Sequence, residues 1–117
     1  MFFRKVLLIK ERKSLIKKAI RMKLYPECKE VYIQRHQQLW PEMRQMLKEK
    51  GILSYSIFLD SETNYLFGYL EIEDEKKWEE ISSTKINQKW WRFMEEIMET
   101  NPDHSPITQH LEMVFDL

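Results

Sequence analysis

Apolar and polar residues alternate along four stretches of this 117-residue chain. From Lys18 to Leu24, Ile20, Met22 and Leu24 stand against Arg21 and Lys23, the pattern of a half-buried strand. Leu53, Tyr55, Ile57 and Leu59 share one face of a second strand. Tyr65 to Ile72 reads as a third, and the polar turn Asp60 to Asn64 joins the two as a hairpin. Leu111, Met113, Phe115 and Leu117 alternate over Leu111 to Leu117, which predicts a closing strand.

Helical signals fill the gaps. Pro26 suits the first turn of a helix carrying Val31, Tyr32, Arg35 and His36 and ending near Leu39. Pro41 suits the first turn of the next, which runs to Lys50 with Gly51 as its stop. Asp74 to Ser82 predicts a short helix carrying Trp78 and Ile81. Ser83 or Thr84 can cap another, holding Trp90, Trp91, Met94, Ile97 and Met98. Asn101 to Pro106 is rich in turn residues.

The resulting order is β-α-β-β-α-β with each helical part broken in two, the α+β plan of a ferredoxin-like domain. Helices on one face would leave the other face of the sheet open. Apolar residues occupy both alternating sets of several strands, too much to leave in water. Two sheets packed face to face would cover it, so a homodimer is expected.

Size allows one domain. The formal charge is zero, yet residues 1–23 hold nine Lys or Arg against the single acid Glu11. The remainder carries ten basic and eighteen acidic residues, a net of minus eight. So acidic a body argues against a nucleic-acid partner. No apolar run approaches the roughly 20 residues of a membrane span. The lone Cys28 cannot form an internal disulfide, which points to a reducing, cytoplasmic setting. No His or Cys pair has metal-ligand spacing, and Gly51 and Gly68 make no phosphate loop.

Chemistry concentrates at a few positions. Tyr32 and His36, four residues apart, fall on one helix face. Such a pair is more often ordinary packing. Trp90 and Trp91 lie about 100° apart around a helix, so one can enter the core while the other faces a cavity. Trp40, before Pro41, suits a core anchor. His104 and His110 belong to or border the polar loop and read as solvated or loop-bonding. An imidazole that titrates near neutral pH, phenols and flat aromatic faces are what an enzyme handling an uncharged sugar needs.

Taken in order, Y-I-Q-R-H-Q-Q-L-W-P-E, S-Y-S-I-F-L-D, Q-K-W-W-R-F-M and N-P-D-H-S-P resemble the L-rhamnose mutarotase family. The resemblance runs from about Lys17 to the end of the chain. It implies a dimeric α+β barrel of ferredoxin-like domains and an isomerase that interconverts the α and β pyranose anomers of a 6-deoxy sugar. It also implies that His36 is the proton donor, and that Tyr32, Tyr55, Trp90 and Trp91 bind the monosaccharide. No redox change or group transfer occurs in such a reaction, so no cofactor or metal is expected. Residues 1–16 have no counterpart in the resemblance and read as a basic N-terminal extension ahead of a single domain over 17–117; within it, Val6 to Ile9 form a short apolar run. Dimeric barrels of this kind also host small monooxygenases and haem-handling enzymes. A non-catalytic sugar-binding dimer is a further alternative.

Overall fold

A computed structural model describes residues 15–117. The expected extension, up to residue 14 and including the run from Val6 to Ile9, lies outside the described residues. Four strands form one antiparallel sheet: β1 (Ile16–Lys23), β2 (Ile52–Asp60), β3 (Tyr65–Ile72) and β4 (Gln109–Leu111). Their spatial order is β2-β3-β1-β4. Helices α1 (Lys29–Gln37) and α2 (Pro41–Glu49) link β1 to β2. Helix α3 (Glu75–Glu80), a 3₁₀ turn (Ile81–Ser83) and α4 (Lys85–Met94) follow β3. This is the predicted ferredoxin-like α+β fold.

Register decides which side chains meet the helices. β1 and β3 run opposite each other from Ile16↔Ile72 to Lys23↔Tyr65. The period of two then sends Ile20, Met22, Leu66, Leu70 and Ile72 to the helical side, where all are buried. Met43 and Met46 of α2 and Trp90 and Met94 of α4 meet them there. On β2, Tyr55, Ile57 and Leu59 stand level with Leu70, Gly68 and Leu66 and so share that face.

Several boundaries differ from expectation. β1 begins at Ile16, two residues before its alternation becomes regular. Pro26 opens no helix: Tyr25 to Cys28 form a turn, with Glu27 at φ 65°, and α1 starts at Lys29. Pro41 does occupy the first turn of α2. Thr84 caps α4 through its hydroxyl, which accepts from the Asn87 N–H. That helix ends at Met94, before Ile97 and Met98, which remain buried; Met98 bridges to Leu24.

The closing strand is also shorter than predicted. Only Gln109 to Leu111 pair with β1, and residues 112–117 leave the sheet. Alternation is not enough to make a strand, which also needs a partner and a face to bury. Val114 is 90% exposed, and the chain there is held by an ion pair of 2.8 Å from Lys17 to Asp116.

Two glycines answer to close approach. Gly51 stops α2 at φ 79°, and a Cβ there would stand 2.4 Å from Cγ of Glu73. Gly68, on the helical side of β3, leaves a gap between two neighbours: a Cβ would meet Ile20 Cγ1 at 2.9 Å and the Tyr55 ring at 3.1 Å. Gly68→Ala is expected to lower stability by about 1–3 kcal/mol, the range for overpacking. Denaturant unfolding with an unchanged slope measures it.

Candidate active site

Helix α1 carries the central pair. Tyr32 is buried, and the His36 ring stacks on it one turn later, with centroids 4.2 Å apart and planes at 27°. His36 Nδ1 lies 2.9 Å from the Tyr32 carbonyl oxygen. A carbonyl can only accept, so Nδ1 carries the hydrogen and donates it. Nε2 is therefore the nitrogen left for chemistry. The Trp90 edge closes the other side, 5.3 Å from His36 and nearly perpendicular to it.

Behind Trp90 an aromatic cluster fixes this wall. Trp40 meets Trp90 edge-on at 5.1 Å, and Phe93 packs against both. Such ring pairs contribute about 0.5–1.5 kcal/mol beyond the area they bury. Arg35 ties α1 to α4: its guanidinium covers the Phe93 ring at 3.9 Å, donates to the Phe93 carbonyl, and pairs with Glu96 at 2.8 Å. Trp40 is thus a core anchor, as its place before Pro41 suggests, and it also backs the His36 wall.

Tyr32, His36, Tyr55, Trp90 and Trp91 all line one cavity of about 1110 Å³, between the helices and the sheet and reaching the open β2 edge. That is slightly above the usual small-ligand range of about 300–1,000 Å³. The structure thus brings all five sequence-predicted residues together. Trp90 is the core member of the tryptophan pair, and Trp91 is half-buried. Tyr55 reaches in from β2, across the gap left by Gly68.

Electrostatics follow from burial. Desolvation holds the His36 imidazole below its ordinary value, and the Tyr32 carbonyl partly opposes this by stabilising the charged ring. Burial raises the Tyr32 phenol, and the neighbouring Tyr55 phenol adds to the rise. Burial of its hydroxyl pushes Tyr55 itself up to about 12, although the residue as a whole is 40% exposed. Both phenols therefore stay protonated at neutral pH and can donate hydrogen bonds.

Sequence reasoning gave no site role to three residues that shape this cavity. Asn87, buried on α4, also lines the cavity. So does His110, which pairs with Ile20 across β1 and so faces the helical side. Gly68 supplies the gap beneath Tyr55; an isolated glycine within a strand pattern was the available signal. His104 stays outside: its Nδ1 lies 2.6 Å from Glu95, which ties the loop to the end of α4. Among the described residues, no group of three or more acidic, His or Cys side chains is placed to hold a metal.

Residues 17–117 match the family model described as L-rhamnose mutarotase. An L-rhamnose mutarotase of Enterococcus faecalis is 62% identical over 103 residues, which span 88% of this chain and all of the relative. The crystal structure of an L-rhamnose mutarotase from Formosa agariphila superposes with a TM-score of 0.81 at 43% identity, covering 87% of this chain and 98% of that one. An antibiotic biosynthesis monooxygenase superposes at 0.57 with 15% identity, covering 86% and 98%, and shares the fold alone.

The two tryptophans should separate on substitution. Trp90→Ala is expected to cost about 3–5 kcal/mol, the range for emptying a buried aromatic site. Trp91→Ala should cost under about 2 kcal/mol and act mainly by raising KM. Thermal unfolding beside anomer-exchange kinetics distinguishes them.

Proposed function

The chain belongs to the L-rhamnose mutarotase family, and on that premise we propose that His36 moves the proton by which it interconverts the α and β pyranose anomers of L-rhamnose. The observation that carries this reading is the His36 ring itself. It is stacked on Tyr32, edged by Trp90 and bound through Nδ1, so that Nε2 is its one free nitrogen on a cavity lined by two phenols.

Ring opening requires that the ring oxygen gain a proton while the anomeric hydroxyl gives one up to a base, for which a water, a carboxylate or a second residue would serve; the base returns that proton when the ring closes. The bond between the ring oxygen and the anomeric carbon breaks, the aldehyde rotates, and the reverse steps close the other anomer. No electron leaves the sugar. His36 Nε2 donates to the ring oxygen, and an imidazolium destabilised by burial gives its proton up readily. Tyr32 and Tyr55, kept neutral by their surroundings, donate to sugar hydroxyls. Trp91, with Trp90 beside it, offers a flat apolar surface to the C–H face of the ring and its methyl group.

The same reading includes a homodimer. On the face of the sheet away from the helices, register sets Ser56, Tyr69, Ala19 and Leu111 in one row and Phe58, Phe67, Arg21 and Gln109 in the next. Phe58 is 65% exposed in the single chain, and an aromatic row of this kind is the surface a second sheet would cover. The lone Cys28 supports a reducing, cytoplasmic setting.

His36→Ala should slow anomer exchange by about 10²–10⁴ in a protein that still folds, as read by saturation-transfer NMR on L-rhamnose. In the unaltered protein, donation needs the charged imidazole. Rate should therefore fall as pH rises through the His36 value, which lies below the ordinary one of about 6.5. A rate that climbs through the same range would make Nε2 the base instead. Phe58→Glu should convert dimer to monomer in sedimentation equilibrium; an unaltered protein already monomeric at micromolar concentration would remove the face-to-face assembly.

A further inference from the structure

Asn87 has no role in the account so far, yet its position is costly. It is 4% exposed, and its amide nitrogen is buried without a hydrogen-bond partner. Among the described residues it is the only side chain left so. Buried donors are almost always satisfied, and an orphan asks for an explanation. Capping does not supply one. The Asn87 main-chain N–H already reaches the Thr84 hydroxyl at 3.3 Å, and the side chain is not the cap. Helix propensity does not supply one either, because asparagine is a weak helix former that an apolar residue would better at a core position.

Its surroundings do. Asn87 stands three residues before Trp90 and four before Trp91, so all three project from neighbouring turns of α4, and all three line the cavity. Torsion about χ2 of an asparagine is broad, so the amide plane can turn toward that space at little cost. The wall is apolar over most of its area, so each polar side chain that does line it, Asn87 among them, bears on which sugar is accepted.

We propose that Asn87 is a specificity-determining residue of this site, its amide donating a hydrogen bond to one ring hydroxyl of the bound pyranose. The proposal rests on the reading that the cavity beside His36 takes L-rhamnose. The unliganded protein holds the donor unmet, and the sugar meets it. A site built to bond a hydroxyl rejects an analogue that lacks it, because the donor is then left alone again. Asn87 would thus set which hydroxyl pattern is accepted, while His36 performs proton transfer on whatever is bound.

The test uses the unaltered protein and Asn87→Leu with L-rhamnose and its analogues lacking the 2-, 3- or 4-hydroxyl. In the unaltered protein one analogue should lose at least about tenfold in kcat/KM, the equivalent of a single hydrogen bond. Asn87→Leu should raise KM for L-rhamnose by about tenfold with kcat nearly unchanged, and should abolish discrimination against that one analogue. Its thermal midpoint should hold or rise, because the orphan donor is gone. A folded variant with unchanged KM and unchanged discrimination overturns the proposal and makes Asn87 a passenger of the core. Should the variant not fold, the side-chain NH₂ resonances of Asn87 in the unaltered protein decide: they should shift on saturation with L-rhamnose, and resonances that stay still overturn the proposal. Exchange of L-rhamnose by the unaltered protein is measured alongside, so that its absence marks a failure of the mutarotase reading and not of Asn87.

Discussion

The antiparallel pairing of β1 with β3 is the constraint from which the rest follows. Eight residues of each strand face one another without a slip from Ile16↔Ile72 to Lys23↔Tyr65. Because side chains alternate, this register commits Ile20, Met22, Leu66, Leu70 and Ile72 to one side together. A slip of β1 by one residue would present Arg21 and Lys23 to the helices instead. The helices pack against the face these five residues form, and the cavity is the part of the interface they do not fill. Gly68 sits in the middle of this ladder, and its missing side chain admits the Tyr55 ring. The same strand therefore builds the core and leaves the opening.

The site depends on α1 and α4 staying in fixed relation. His36 comes from one helix and Trp90 from the other, and their contact is an edge against a face. Arg35 spans the seam through three different interactions with Phe93 and Glu96. The exposed part of that link is weak, as surface ion pairs are. The stacked and main-chain parts lie half-buried and are the more durable.

Much of this was legible in the sequence because it depends on spacing. A four-residue gap puts Tyr32 and His36 on one helix face whatever lies around them, and a period of two gives the strands. The turn at Tyr25 to Cys28 was not legible, because Pro26 fits a helix start as well as a turn and the choice depends on Glu27 adopting a left-handed conformation. The early end of the last strand was not legible either, since alternation in residues 112–117 says nothing about whether a partner lies alongside. Within the site, Asn87 escaped notice and His110 was read as a loop residue for a related reason: each is an isolated polar residue whose meaning comes from what the fold sets opposite it.

An imidazole can be oriented by a side-chain carboxylate, by water or by a backbone carbonyl. In His36 the anchor is the peptide oxygen of Tyr32. Substitution of the tyrosine side chain alters a wall of the cavity but leaves that oxygen in place, so the tautomer is inherited from the helix and not from any residue that mutation can exchange. The dependence then passes to helix geometry. His36 lies in the final turn of α1, which ends at Gln37 with Gln38, and no glycine, as its cap. Loosening of that turn would free the imidazole to rotate while the sheet and core remained intact. Under the role proposed for His36, warming should then disturb proton transfer before it melts the protein, so that one turn of helix limits the chemistry.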